Sequence, residues 1–243
     1  MLEGMYAAAT GMDAQQQQLD AIGNDLANAS TTGYKAERTG FRDLLYNQIE
    51  MAGTKTTAGA GAAAELIGRN QSQGAIQSTG DPLDLAIEGE GYFTVKRADG
   101  STALTRDGAF ELDADGQLVT AEGNIVQPPI TVPKGISQSE VSIGPDGTVS
   151  AGTKRLGKIT LVTVPAPDKL LADGSSLFSA TASSGAATTA SRASIHQGAL
   201  ESSNVDVATE MVQMVTTQRS YQLESSAIQN ESQMLSIANE LRS

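Results

Sequence analysis

Leu83-Asp84-Leu85-Ala86-Ile87-Glu88, with Phe93-Thr94-Val95-Lys96 close behind, sets Leu83, Leu85, Ile87, Phe93 and Val95 at every second position. That is the period of a strand with one buried face. Asp-Gly pairs punctuate the chain beyond it, at 99–100, 107–108 and 115–116, and again at 146–147 and 173–174. Asp-Gly between apolar runs signals a two-residue hairpin in which both turn residues take positive φ. Residues 83–126 therefore read as an antiparallel meander, and Ile159–Val164, rich in β-branched side chains, as a further strand.

Outward from this zone the period lengthens. Leu2, Met5, Ala9, Met12, Leu19, Ile22 and Leu26 recur at spacings that predict a helix over 2–28, about 40 Å long. With Leu2 at position a, the seam runs Leu2, Met5, Ala9, Met12, Gln16, Leu19, Gly23, Leu26, in which Gln16 and Gly23 are poor knobs. Gly4, Gly11 and Gly23 each cost this helix about 1 kcal/mol against Ala. On the other side Asn204 and Asp206 are N-cap candidates. Met211, Met214, Gln218, Tyr221, Ser225, Ile228, Ser232 and Leu235 then repeat the helical spacing. The stretches 52–64 and 179–194 lack an apolar period and read as flexible. The fold class is α+β. Residues 1–33 and 203–243 form long terminal helices packing as a coiled-coil-like domain, 34–74 and 186–202 are extended connectors, and 75–185 form an inserted antiparallel all-β domain.

Composition narrows the chemistry. The 243 residues include no Cys, no Trp and one His, His196, which excludes disulfides, Cys-His zinc sites and a Cys nucleophile. A net charge of −12 repels nucleic acid and anionic membranes. The start, Met1-Leu2-Glu3-Gly4-Met5, lacks the basic n-region of a Sec signal. No stretch supplies the roughly 20 apolar residues of a membrane span, so taken alone the chain reads as soluble and cytoplasmic.

Each catalytic candidate competes with a plainer reading. Asp113 and Asp115, beside Glu111 and Glu122, could do acid–base work in a cleft, but Asp115-Gly116 marks them as turn residues. Gly89-Glu90-Gly91 runs into a strand rather than the helix a phosphate loop requires. His196 has no Gly-x-Ser-x-Gly elbow to serve it. Arg219 and Tyr221, with Glu210 and Glu224 nearby, read as a solvated helix face or as contacts to neighbouring copies. Asn28-Ala29-Ser30 and Asn230-Glu231-Ser232 match the glycosylation sequon by spacing, a chance match in helix-forming segments.

Gly23-Asn24-Asp25-Leu26-Ala27-Asn28-Ala29-Ser30-Thr31-Thr32-Gly33-Tyr34-Lys35 resembles the N-terminal signature of the bacterial flagellar rod, hook and hook–filament junction proteins. Asp25 stands where that signature usually has a second Asn, so an amide donor is lost. Ser203 to Val207, Glu210-Met211-Val212, Thr217 to Tyr221 and Gln233-Met234-Leu235 resemble the family's C-terminal helix block. Thr79 to Ile87, Gly91-Tyr92-Phe93, Thr105 to Gly108, Gln127 to Pro133 and Ile143 to Val149 are similar to its distal-rod branch.

The resemblance implies a structural subunit of the basal-body rod that polymerises into a helical tube transmitting motor torque to the hook, with no enzymatic activity, cofactor or metal. It implies assembly contacts through Leu2, Met5, Met12, Leu19, Ile22, Asn24, Leu26, Asn28, Gly33, Tyr34, Asn204, Val205, Met211, Met214, Arg219, Tyr221, Ile228, Met234 and Leu235. Its partners would be further copies of itself, proximal rod proteins, the hook protein, surrounding rings where an outer membrane exists, and the flagellar type III export channel, through which it would pass unfolded. Asn47–Gly68 occupies the place of a distal-rod element that stiffens the tube. Three other readings stay open: a proximal rod subunit, a peptidoglycan hydrolase using Asp113, Asp115 or Glu122, and a monomeric adhesin-like module.

Overall fold

Ala7-Ala8-Ala9 and the run Gln15–Gln18 are strong helix formers, and helix α1 spans Leu2–Ala27 without a break. It stops in a turn where the N–H of Thr31 donates to the carbonyl of Asn28 at 3.1 Å and Gly33 takes φ 65°. The C-terminal helix α2 runs Val207–Glu240. Asp206 is its cap, accepting from the N–H groups of Ala208 and Thr209 and from the Thr209 hydroxyl. Asn204, the other cap candidate, is used elsewhere. The computed structural model describes residues 2–44, 46–51, 54–59, 61–190 and 192–241. It is an α+β architecture of two long helices and several antiparallel sheets.

The chain divides into two compact units, one of residues 1–27, 37–68 and 206–243, the other of 28–36 and 69–205. In the first, α1 and α2 pack antiparallel, Gly4 facing Glu231 and Gly11 facing Glu224. Four strands complete it: β1 (Glu37–Asp43), β2 (Tyr46–Met51), β3 (Thr54–Gly59) and β4 (Ala62–Arg69), β1 pairing with β4 and β2 antiparallel with β3. The stretch 52–64, expected to be flexible, thus contributes paired strands among its described residues. Its small side chains have a packing reason. A Cβ on Gly61 would fall 1.9 Å from the Thr10 hydroxyl oxygen, and the Ala62 N–H reaches that oxygen at 3.4 Å.

The second unit holds β5 (Ile76–Ser78), β6 (Leu85–Glu88), β7 (Phe93–Lys96), β8 (Thr102–Thr105), β9 (Phe110–Leu112), β10 (Leu118–Thr120), β11 (Ile125–Gln127), β12 (Val141–Ile143), β13 (Thr148–Ala151), β14 (Lys154–Lys158), β15 (Val162–Thr163), β16 (Leu171–Gly174), β17 (Leu177–Ser179), β18 (Thr188–Thr189), β19 (Ser194–Gln197) and β20 (Ala199–Glu201). The main sheet has the order β16-β17-β8-β7-β11-β10-β9. It is not the simple meander the Asp-Gly spacing suggested. Asp107-Gly108 makes no hairpin, because β8 lies beside β17 and β7 while β9 pairs with β10. Gly108 instead lets two backbones touch: its carbonyl accepts the Leu85 N–H at 3.0 Å, and a Cβ there would lie 1.7 Å from the Leu85 oxygen.

Three of the other turns also depart from the two-residue form, whereas β16 and β17 are joined by the two-residue loop Ser175-Ser176, both at positive φ. At 97–101, 113–117 and 144–148 the first residue accepts from the glycine N–H and donates to the residue after it, and only the glycine has positive φ. This is the three-residue hairpin that ends in a glycine bulge. The core gathers Leu83, Leu85, Ile87, Phe93, Val95, Phe110, Leu118, Val126, Ile130, Val149 and Ile159, so the period-two residues point inward as expected. Ala86 is buried with them. The stretch 179–194, also expected to be flexible, carries Thr188–Thr189 paired with Val162–Thr163.

Candidate assembly surfaces

Two helix faces and one buried ionic cluster carry the features a structural subunit needs. On α2 the shielded side runs Glu210, Met214, Thr217, Tyr221, Glu224, Ile228, Glu231 at steps of four and three, and Thr217 is buried. At 100° per residue these positions share one face. That face turns toward α1 and places carboxylates on the helix contact. Burial raises the pKa of Glu210, with Asp25 and Asp206 adding to it, and burial alone raises that of Glu224. One carboxylate oxygen of Glu224 is closed from solvent with no hydrogen-bond partner.

The opposite face of α2 carries apolar side chains in solvent. Met211 is 53% exposed, Val212 64% and Leu223 72%, joined by Val215, Met234 and Ile237. Of the residues named from the sequence, Met214, Tyr221 and Ile228 thus lie on the α1-facing side, Met211 and Met234 on the outer side, and Arg219 is exposed. On α1, Met5, Met12, Leu19 and Leu26 are half-buried, whereas Ala14, Ile22 and Asp25 are fully closed. The tightest side of α1 is therefore displaced from the apolar seam toward small residues. Asn24 donates to Glu37 at 3.1 Å, and the Asp25 carboxylate accepts the Glu37 N–H, so Asp serves here as an acceptor without the second amide. The side chains of Leu2 and Leu235 lie outside the described set.

In the second unit the signature turn is fixed by charge. Glu201, fully buried, accepts Lys35 Nζ at 2.5 Å and the Gly74 N–H at 2.9 Å on one oxygen, and Arg106 Nη1 at 3.0 Å on the other. Its backbone carbonyl takes the Gly33 N–H at 2.8 Å. Lys35 also donates to the Ser72 carbonyl and Arg106 to that of Gly89. Burial pulls the Lys35 pKa down, the hydrogen bond to Glu201 opposes this, and the Arg106 charge adds to the lowering. Tyr34 is buried beneath the Arg69 guanidinium, 5.5 Å from ring centre to cation. Arg106 likewise lies 5.4 Å from the Tyr92 ring, whose hydroxyl is pushed up to about 12 by burial.

Asn204 is a clamp rather than a cap. Its amide donates to the carbonyls of Asn70 and Ser72, and its oxygen accepts the Ala36 N–H at 2.8 Å. Asn28 accepts the Thr31 hydroxyl at 3.1 Å within the turn, and Val205 is half-buried. Gly33 has a strict requirement. A Cβ there would stand 2.6 Å from the backbone of Arg106 and Asp107 in a left-handed conformation. Gly33→Ala should cost about 1–2 kcal/mol from the backbone conformation alone and more from the collision, read as a lowered denaturation midpoint. An unchanged midpoint would contradict this account of the turn.

The sequence-level catalytic candidates are dispersed into structural duties. Asp113 accepts the N–H groups of Asp115 and Gln117 at its turn, while Asp115, Glu111 and Glu122 are exposed. His196 Nε2 lies 2.6 Å from Glu88 across β6 and β19, and this contact holds the Glu88 carboxyl below its ordinary value. Gly89 joins the Arg106 cluster through its carbonyl. Lys35 and Arg106 fall inside the sequence motifs, but Glu201 does not, and its only local sign is a charge ending an apolar strand.

Three family models match successive stretches of the chain. Residues 5–35 match the family model described as flagella basal body rod protein, 86–151 that of the flagellar hook protein FlgE/F/G D1 domain, and 196–241 that of the flagellar basal body rod FlgEFG protein C-terminal region. The flagellar basal-body rod protein FlgG of Borreliella burgdorferi is 39% identical, the alignment covering 100% of this chain and 99% of the relative. That of Caulobacter vibrioides is 37% identical with both chains fully covered. A FlgG of Buchnera aphidicola is 35% identical over 99% of this chain and 100% of its own.

Proposed function

Because the chain belongs to the family of FlgG-type flagellar basal-body rod proteins, we propose that it builds the distal segment of the rod, polymerising into a tube that transmits torque to the hook. It is a structural subunit of the flagellar basal body. The observation that carries the finer reading is the row of exposed apolar residues on α2, opposite the face α1 uses. Such a row is costly in water and is relieved when neighbouring copies cover it.

In this reading the coiled-coil-like pairing of segments 1–33 and 203–243 forms the rod core, 34–74 and 186–202 connect it to the inserted β-domain 75–185, and that domain carries no enzymatic activity. Proximal rod proteins and the hook protein abut the segment, with rings around it where an outer membrane is present. The subunit reaches its place unfolded through the flagellar type III channel, a route that a chain without Cys cannot obstruct with disulfides. Truncation after Val205 tests the proposal. It removes α2 and leaves residues 28–36 and 69–205 whole, so polymerisation should be abolished while the β-rich unit keeps its near-native melting. Rods of normal length built from the truncated chain would refute it.

A further inference from the structure

We propose that Arg219 of one copy seats in an acidic groove beside α1 of a second copy, with Asp20 as its main partner. Met211, Val215, Arg219 and Leu223 follow one another at steps of four, so the exposed apolar row on α2 has a cation in its middle. Arg219 is the one basic residue of either helix, and among the described residues no carboxylate lies within ion-pair distance of it. Covering this row with a wholly apolar neighbour would bury an unpaired guanidinium, at a cost that outweighs the apolar gain. The covering surface must therefore supply a carboxylate.

The first unit carries such a surface. A groove of about 300 Å³ lies between α1 and the β1–β4 pair, lined by Gln17, Asp20, Asn24, Glu37, Glu65 and Leu66. Glu65 approaches Arg42 at 3.7 Å in a loose pair, both side chains more than half exposed. Asp20 accepts the Gln16 amide at 2.9 Å and meets no cation among the described residues. Leu66, exposed, gives the groove an apolar edge. Carboxylates beside an apolar edge are the complement of a guanidinium flanked by Val215 and Leu223. Within one chain the two surfaces do not meet. Asp20 lies about half a turn around α1 from Gly11, which faces Glu224, and Arg219 about half a turn around α2 from Thr217 and Tyr221 on the α1-facing side. They point away from each other on opposite sides of the helix pair. A contact between two unlike surfaces joins copies head to tail, the interface type from which helical arrays grow. This inference rests on the reading that neighbouring copies cover the α2 row, and it names what covers it.

The experiment sediments purified full-length subunit across a concentration series, with the melting of each variant as the folding control. Arg219→Glu and Asp20→Arg should each raise the critical concentration for polymerisation at least about tenfold. The double variant Arg219→Glu/Asp20→Arg, which exchanges the two charges, should return it to within about threefold of native. An equimolar mixture of the two single variants should also assemble, because each supplies the charge the other lacks, a result that misfolded chains could not give. Asp13→Arg, exposed on α1 but outside the groove, should not rescue Arg219→Glu. Assembly of Arg219→Glu at the native concentration, failure of both the exchange and the mixture, or rescue by Asp13→Arg as full as by Asp20→Arg would each overturn the proposal. Leu223→Lys then shows what has failed. If it blocks assembly, the covered row stands and only this groove is lost; if it assembles at the native concentration, the reading of the row falls as well.

Discussion

Glu201→Ala should be the most destabilising single substitution in the β-rich unit, costing about 3–5 kcal/mol. Lys35, Arg106 and Glu201 are all buried, and one carboxylate serves two cations. Deleting it leaves two positive charges facing each other without solvent and strands the Gly74 N–H that shared the same oxygen. The surplus of positive charge makes the cluster asymmetric. Lys35→Met removes the extra cation and leaves Arg106 and Glu201 a matched pair, so it should cost less than half as much, the Ser72 carbonyl keeping the Asn204 amide as its donor. Denaturant titration followed by tyrosine fluorescence, the chain having no Trp, would rank the two. An equal or larger loss for Lys35→Met would mean that Glu201 is not the keystone of the site.

How far the sequence could be read depends on what periodicity encodes. A three-four spacing identifies residues that share a helix face, and a period of two identifies those that share a strand face. Hence α1, α2 and the inward set Leu83, Leu85, Ile87, Phe93, Val95 were legible. Neither pattern says what the face meets. On α2 the apolar count drew attention to Met211 as a seam residue, yet the α1-facing side is marked by glutamates because α1 offers glycine at Gly4 and Gly11. Glu201 gave no warning for the same reason. Ala199-Leu200-Glu201 reads as an ordinary strand end, and the partners that hold its carboxylate and carbonyl, Gly33, Lys35, Gly74 and Arg106, are remote in the chain. The 52–64 stretch misled through composition, since the freedom of Gly61 is spent on contact with Thr10.

Placing charge on the outer face of α2 should separate folding from assembly most sharply. Met211, Val215 and Leu223 are 53%, 48% and 72% exposed in the single chain, so Met211→Lys, Val215→Lys and Leu223→Lys together remove little burial within it. The melting of the variant should stay within about 1 kcal/mol of native, the range of ordinary surface changes. In the rod the same residues would be covered by neighbours, where each fully buried apolar side chain contributes about 1.5–3 kcal/mol and each lysine adds an uncompensated charge. Even half of that sum, about 3 kcal/mol, raises the critical concentration for polymerisation about 100-fold. Sedimentation of purified subunit across a concentration series reads this directly, with the melting curve as control. Polymerisation at the native concentration with the triple lysine face intact would show that this face looks into solvent in the rod as well, and the assembly surface would have to be sought on α1.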